Sequence, residues 1–234
     1  MLQSGTRQTV LKTYVYQIAV IVWKDTLLEV RTREVVISMI VFALLSVVTF
    51  NFAFDATPSM ANMVASGILW VTLVFGAILG LTRVFALEVS SGGIDGTLLS
   101  PISRDAFFFG KVISTLIFMV FVEAILLPVM VVFFDLYFQL IPLILVSILA
   151  LFGLALVGSL FSAMAINTKA REVMLPVLYL PVIIPVLLSA VECTEIILAG
   201  GGLADITKWL SMMLVFDATY MVAAPFCFSA IASE

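Results

Sequence analysis

Six stretches of predominantly apolar residues, each close to the length of a membrane span, divide this chain from residue 35 onward. They cover residues 35–54, 64–87, 106–134, 140–166, 173–190 and 206–228. A spanning α-helix needs about 20 such residues to cross the hydrocarbon core of a bilayer. Within lipid, every backbone N–H and C=O must be hydrogen-bonded inside the protein, which favours helices for apolar runs of this length. The sequence therefore predicts an all-α integral membrane protein with six transmembrane helices.

The composition agrees with this prediction and argues against several functions. Hydrophobic residues make up 63% of the chain and charged residues 11%, compared with roughly half and a quarter in soluble domains. No basic patch or base-stacking module is visible, so nucleic acid is not an expected partner. The chain has no histidine, the most common general base and a common axial haem ligand. The predicted spans separate Cys193 and Cys227, so we expect neither a disulfide between them nor a metal site.

The distribution of lysine and arginine predicts the orientation of the spans, because cytoplasmic loops carry an excess of these residues. With a cytoplasmic N-terminus, ten of the eleven lie on the inner side and Lys208 alone lies outside. The ten are Arg7, Lys12, Lys24, Arg31, Arg33, Arg83, Arg104, Lys111, Lys169 and Arg171. We therefore expect both termini in the cytoplasm, with outer loops around residues 51–62, 135–139 and 191–205.

Two regions follow from this topology: an N-terminal cytoplasmic or interfacial segment, residues 1–34, and a six-helix transmembrane domain, residues 35–234. Before the first span, apolar residues recur at helical spacing, namely Leu11, Tyr14, Val15, Ile18 and Val22. This pattern indicates an amphipathic helix lying along the membrane surface. The alternative is a helix packed against the other spans.

The longest cytoplasmic loop, residues 88–105, contains the sequence LEVSSGGIDGTLLSP from residue 87 to residue 101. Its glycines, including Gly92 and Gly96, permit tight turns, and Pro101 ends any short helix. Ile94, Leu98 and Leu99 are apolar residues in a polar segment, which is typical of a short helix that fills a groove on another protein. The alternative is a simple connector between two spans.

The sequence offers no nucleotide-binding site within this chain. The Gly110-Lys111 pair is followed by Val112 rather than by Ser or Thr, and Asp105 occupies the position of the first glycine of a phosphate-binding loop. No nucleophile, base and acid arrangement is visible either. We therefore expect no catalytic residue and no enzymatic activity in this chain.

Two acidic residues fall near the middle of predicted spans, Glu123 in the third and Asp217 in the sixth. Such residues are costly in lipid and should face protein or a water-filled cavity. They form either a polar cleft or subunit contact, or one helix–helix hydrogen bond each.

Pro176, Pro181 and Pro185 lie in the fifth span, where each removes a backbone donor. They make either a hinge or a static kink.

Several segments together resemble the CcmB family, the haem exporter protein B permeases of the ABC-type cytochrome c maturation system. The resemblance covers roughly residues 67–190. It rests on Arg83, Phe85, Glu88, Gly92, Asp95 and Gly96, on LLSP at 98–101 and FGK at 109–111, and on FMVFVEAILLP at 118–128 and REVMLPVLYLPVIIP at 171–185. Thr97 departs from the pattern, since the family usually has a larger apolar residue there.

This resemblance implies an ABC-2-type exporter permease fold, with an interfacial helix before the first span and a coupling helix after the second. The coupling loop would contact a separate ATPase subunit, CcmA-like, through Glu88, Gly92, Ile94, Asp95, Gly96, Leu98, Leu99 and Pro101. ATP and Mg²⁺ would bind that ATPase. The resemblance further implies a CcmC-like haem-handling membrane protein and a CcmE-like haem chaperone. The expected location is the inner membrane of a bacterial or archaeal cell.

The implied function is to couple ATP hydrolysis to haem export or to release of the haem-loaded chaperone. Without histidine, the chain is better suited to a mechanical role than to haem binding, so we expect no cofactor in this chain and haem handled by the complex. Two permease copies or a permease heterodimer per complex are both compatible with the resemblance. The other functions that fit are an ABC-2-type permease for a lipid, glycan or drug, and a non-transporting membrane scaffold.

Overall fold

The computed structural model describes residues 2–54, 58–90, 102–137, 139–165 and 171–231, and within these ranges it has seven helices and no strand. The helices are α1 (Leu2–Thr32), α2 (Glu34–Ala53), α3 (Pro58–Ser90), α4 (Arg104–Phe134), α5 (Leu140–Ala165), α6 (Arg171–Leu198) and α7 (Leu203–Ile231). Each helix from α2 to α7 contains a segment long and apolar enough to cross a membrane. The prediction of an all-α membrane protein with six spans is therefore confirmed.

A single residue separates the N-terminal helix from the first span. Arg33 has a φ of 57°, which breaks the helix between α1 and α2. The Glu29 carboxylate accepts a hydrogen bond from the backbone N–H of Val36 at 2.8 Å. It thereby satisfies one of the N–H groups that the first turn of α2 leaves without a partner.

Several helices extend beyond the predicted ends of their spans, and α6 extends furthest at its C-terminal end. The fifth span was expected to end at residue 190, but α6 continues to Leu198. The Thr194 hydroxyl explains part of this extension, since it donates to the carbonyl of Ala190 at 2.8 Å and accepts from Trp70 Nε1 at 2.8 Å. The outer connection predicted at 191–205 therefore shrinks to residues 199–202, where Gly200 adopts a φ of 88°.

The predicted outer loop at 51–62 is also shorter than expected. Helix α3 begins at Pro58, and proline is favoured in the first turn of a helix because its fixed φ suits that position and its missing N–H costs no bond there. Residues 55–57 and 138, within the predicted outer loops, lie outside the described residues.

Helix α5 occupies the centre of the bundle, where it contacts α3, α4, α6 and α7. It carries no charged residue. Small residues such as Ala150, Gly153, Ala155 and Gly158 are buried along it. Small side chains let neighbouring helices approach closely, which strengthens van der Waals packing between helices in lipid.

Helix α1 packs along α4 with a face that carries two acidic residues, rather than with the apolar stripe predicted from the sequence. The buried residues are Ile21, Asp25 and Glu29, spaced four apart, whereas Tyr16 and Trp23 are exposed. The predicted apolar stripe is therefore divided: Val15 is exposed, while Tyr14, Ile18 and Val22 are partly buried. Contact with a span, the alternative prediction, is observed on one side of the helix. The other side keeps an exposed apolar face of the kind that membrane-surface helices present to lipid.

Candidate coupling and transport site

The predicted coupling loop falls mainly outside the described part of the chain. Glu88 lies in the last turn of α3, but its side chain is outside the described residues. The remaining predicted loop residues, Gly92, Ile94, Asp95, Gly96, Leu98, Leu99 and Pro101, are also outside them. Their assignment to an ATPase contact therefore remains a prediction. The described structure resumes at Ile102 and shows what the loop leads into.

Immediately after the loop, Ser103 begins α4 and connects it to α1. The Ser103 side chain caps the helix by accepting a hydrogen bond from the N–H of Ala106 at 3.3 Å. Its own N–H and hydroxyl donate to the side-chain oxygen of Gln17 on α1, at 3.4 and 3.3 Å. Partial burial, and to a lesser degree the Asp105 carboxylate, raise the pKa of the Tyr14 phenol on α1 above its usual value.

Two turns into α4, a buried ion pair joins the same two helices. The Lys111 ammonium lies 3.0 Å from each carboxylate oxygen of Asp25, and the Lys111 side chain is only 1% exposed. Lys24 approaches the same carboxylate at 3.5 Å, but its side chain is 44% exposed. A buried pair of this kind adds little net stability compared with apolar residues, yet removing one partner is costly. It therefore fixes how α1 sits on α4.

A glycine next to the ion pair lets α1 and α4 come close together. A Cβ added at Gly110 would lie 2.7 Å from Cγ2 of Ile21, so a side chain at this position would push the helices apart. Glycine at a close approach between helices is a common device in membrane proteins.

The start of α4 also contacts the C-terminal end of α7. Phe228 packs against Phe107 and Phe108, with ring centroids 6.1 and 5.4 Å apart. The Arg104 guanidinium donates to the carbonyl of Ser229 at 3.2 Å. We call residues 103–111 the α4 junction. These residues follow the predicted coupling loop directly and contact both α1 and α7.

The two predicted intramembrane acids both face the central helix α5. Glu123 is buried, and its Oε1 accepts a hydrogen bond from the Ser147 hydroxyl at 2.6 Å. Asp217 is 5% exposed, and neither of its carboxylate oxygens has a hydrogen-bond partner among the described residues. The Asp217 carboxylate lies against Gly153, where an added Cβ would collide with Oδ1. The two acids thus occupy different environments on the same uncharged helix.

The three predicted hinge prolines lie inside α6, which is helical across all of them. Pro181 is exposed, while Pro176 and Pro185 are partly buried. The carbonyl of Pro185 accepts a hydrogen bond from the Ser189 hydroxyl at 2.7 Å. The structure describes one conformation of this helix, and the hinge assignment remains a prediction.

From the sequence, Lys111 is recognisable only as a topology marker and motif residue, and Asp25 is not predicted as its partner. The sequence nevertheless carried a signal, because Ile21, Asp25 and Glu29 share one face of a helix at i, i+4 and i+8. Gly153 was missed as well, since nothing local distinguishes it from other small residues in an apolar span. Its importance depends on the position of α7.

The bundle of six apolar helices, with α5 at its centre, defines a multi-pass integral membrane protein, a fold consistent with a permease. The profile of the family described as "CcmB protein" matches residues 16–233, and the chain belongs to the CcmB family. It is also similar to "Heme exporter protein B" of Rhodobacter capsulatus, with 27% identity over 190 residues, covering 81% of this chain and 86% of the relative. The resemblance inferred from the sequence is thus confirmed.

Proposed function

We propose that this chain is the membrane subunit of a haem export system for cytochrome c maturation, and that it couples ATP hydrolysis by a separate ATPase to haem export or to release of a haem-loaded chaperone. The observation that carries the proposal is the family match across nearly the whole chain, residues 16–233, together with six helices able to span a membrane. The similar protein from R. capsulatus is named a haem exporter, which supports haem as the cargo of the complex.

The α4 junction supports a coupling role. An ATPase that moves the preceding loop would pull on Ser103 and Arg104 first. Ser103 is bonded to Gln17 of α1, and Arg104 is bonded to the end of α7. The buried Asp25–Lys111 pair makes α1 follow α4, because separating these charges within the bundle is costly. A displacement at the loop would therefore reach α1, α4 and α7 together.

The two buried acids lie on α4 and α7, the helices that such a movement would displace. Glu123 is on α4 and Asp217 is on α7, and both contact α5. If α4 and α7 shift against α5, these are the carboxyl groups whose contacts change. We propose that they stabilise one arrangement of the spans, and that water or a polar part of the cargo reaches them in another.

The proposed setting follows from the charge distribution and the family. Both termini and the loop 88–105 face the cytoplasm, and the protein lies in the inner membrane of a bacterial or archaeal cell. The proposed partners are a CcmA-like ATPase that binds ATP and Mg²⁺, a CcmC-like membrane protein and a CcmE-like haem chaperone.

Affinity purification of the tagged full-length chain from its native membrane tests this function. We expect an ABC-type ATPase to co-purify, and we expect deletion of the gene to abolish covalent haem attachment to c-type cytochromes. Complementation with the wild-type chain should restore attachment. Normal cytochrome c in the deletion strain would contradict the haem role, while an ATPase still bound to the chain would then indicate a permease for another cargo.

A further inference from the structure

Helix α7 meets the rest of the bundle along one narrow line of buried residues, which we call the α7 seam. Its members are Ile206, Met213, Asp217, Ala224 and Phe228. They follow one another at intervals of seven and four residues, a spacing that keeps them on one face of the helix. The other described side chains of α7 are exposed or partly exposed. Four members of the seam are apolar, and the central one is an acid.

Asp217 occupies the midpoint of the α7 seam and has no polar partner there. It is eleven residues from Ile206 and eleven from Phe228, which is about 16 Å from either end at 1.5 Å per residue. Its carboxyl lies against Gly153 of α5, and neither oxygen has a hydrogen-bond partner among the described residues. Val186 of α6 borders the same point, with Cγ2 at 3.5 Å from a Cβ added at Gly153. The surroundings of the carboxyl are therefore a glycine and an apolar side chain.

The helices packed against α7 supply no positive charge at this point. Helix α5 has no charged residue, and the charged residue of α6 closest in sequence to Val186 is the exposed Glu192, six residues away. Arg104 of α4 contacts α7 at the carbonyl of Ser229, twelve residues from Asp217. Two further cations are also distant or paired: Lys208 is nine residues away along α7, and Lys111 of α4 pairs with Asp25. An ionised Asp217 would therefore have no counter-charge.

The other titratable groups on these helices near the level of Gly153 are phenols and one acid. The Tyr179 hydroxyl of α6 donates to the carbonyl of Leu154 at 3.1 Å. The Tyr220 ring, on the next turn of α7, packs on Phe216 with centroids 4.6 Å apart. Glu123 of α4 accepts from Ser147, six residues before Gly153 on α5. None of these groups can neutralise a carboxylate.

A carboxylate at this point would be a buried charge without a partner, which costs far more than burying the neutral acid. We propose that Asp217 is a proton-binding site: it holds a proton while α7 is packed on α5, and it releases that proton to water, leaving a carboxylate, when α7 separates from Gly153. A proton is the ligand that fits, because the contact with Gly153 leaves no room even for an added Cβ. The packing of α7 is thereby linked to pH.

The bound proton depends on this chain alone, whatever cargo or partner the complex handles. The site can therefore be tested on the isolated full-length protein, and the test can fail while the proposed haem role stands.

Infrared spectroscopy of the full-length chain in lipid nanodiscs tests the site, because a protonated carboxylic acid and a carboxylate absorb at different frequencies. Near neutral pH we expect an absorption from one protonated aspartic acid, which shifts when the wild type is prepared with aspartate isotopically labelled at its side-chain carboxyl carbon. This measurement needs no variant to fold. Asp217→Asn should remove the absorption, and the matched control Asp205→Asn, at the exposed start of the same helix, should leave it in place.

The pH dependence of unfolding gives a second measurement. The folded chain would hold one proton more than the unfolded chain, in which Asp217 is exposed to water, so stability is lost as pH rises. Between the pH values at which the unfolded and the folded chain lose this proton, the unfolding equilibrium constant of the wild type should rise about tenfold per pH unit relative to that of Asp217→Asn. Asp205→Asn should keep the wild-type dependence.

Two results would overturn the proposal. One is a wild-type spectrum near neutral pH with no protonated-acid absorption that shifts with the aspartate label. The other is a label-sensitive absorption and a pH dependence of unfolding that Asp217→Asn leaves unchanged, which would assign the proton to a different aspartate.

Discussion

At the scale of single residues, the contact between Gly153 and Asp217 leaves no room for a side chain at position 153. The carboxylate is buried and has no hydrogen-bond partner in the described part of the structure, and it occupies the space that a side chain at position 153 would need. Burying a carboxyl group without a hydrogen-bond partner lowers the stability of the folded protein. A side chain at position 153 would therefore have to displace the Asp217 carboxylate.

We predict that Gly153→Ala destabilises the protein by about 1–3 kcal/mol, the usual cost of adding a methyl group to a filled core. Gly67→Ala is the matched control, because an added Cβ there would meet no atom within 4 Å. Alanine at that helical position should be neutral or stabilise by up to about 1 kcal/mol. The double variant Gly153→Ala with Asp217→Ala should recover the loss. Thermal unfolding in detergent measures all three, and equal melting temperatures for Gly153→Ala and Gly67→Ala would refute the collision.

Single residues also show what the sequence could and could not predict. Glu123 and Asp217 were identified because a charge within an apolar run is visible without any structure. Their partners, Ser147 and Gly153, were not identified, since both lie on another helix. Which residues of α5 face which acid depends on the rotation of three helices about their axes, and local sequence does not fix that rotation.

At the scale of helices, the positions of the spans were predictable and their ends were not. Apolar length alone located all six, because the bilayer sets the length that a span needs. Helix α6 ends at Leu198 rather than at residue 190, and Thr194 in the added segment accepts a tertiary hydrogen bond from Trp70 on α3. The face of α1 that packs against α4 could not be predicted for a related reason. This face carries the buried Asp25, and a charged residue is expected to face water unless it is paired, here with Lys111.

We predict that the Asp25–Lys111 pair determines the docking of α1 on α4. Asp25→Ala removes the carboxylate that pairs with the buried Lys111 ammonium, and breaking a buried ion pair in this way costs about 3–5 kcal/mol. The melting temperature should fall, and α1 should become more sensitive to protease. The exchange Asp25→Lys with Lys111→Asp restores an attractive pair and should recover a substantial part of both properties. An exchange variant no better than Asp25→Ala, or a single variant equal to the wild type, would show that the pair does not hold α1.

At the scale of the whole molecule, six spans place the N-terminal helix and the end of α7 at the same side of the membrane, consistent with the contact of both with the start of α4. The opposite side has its own contact, from the Asn51 amide to the carbonyl of Phe133 at 3.0 Å. Which side is cytoplasmic follows from the charge bias rather than from these contacts.

Cysteine labelling in intact cells measures that orientation. Thr32 and Ala204 are both exposed and lie at the two ends of the bundle. In a background without Cys227, whose side chain is exposed, we expect an impermeant thiol reagent to label Ala204→Cys and to leave Thr32→Cys unlabelled until the cells are broken. The reverse pattern would place both termini outside and would remove the loop 88–105 from the side where ATP is available.

We propose that this permease receives its movement from an ATPase through the loop before the α4 junction. Leu98 and Leu99 are the proposed contact, and burying one leucine stabilises an interface by roughly 1.5–3 kcal/mol. The loss of both should weaken binding by orders of magnitude. Thr97→Leu is the control, since it supplies the apolar residue that the family usually has and should preserve docking.

The most direct test is co-purification of the ATPase with the double variant Leu98→Asp with Leu99→Asp, compared with the wild type and Thr97→Leu at equal levels in the membrane. We predict that the double variant inserts normally, loses the ATPase and no longer supports cytochrome c maturation, while Thr97→Leu retains both. Wild-type levels of ATPase bound to the double variant would contradict the coupling role of Leu98 and Leu99 and leave the loop as a connector between α3 and α4.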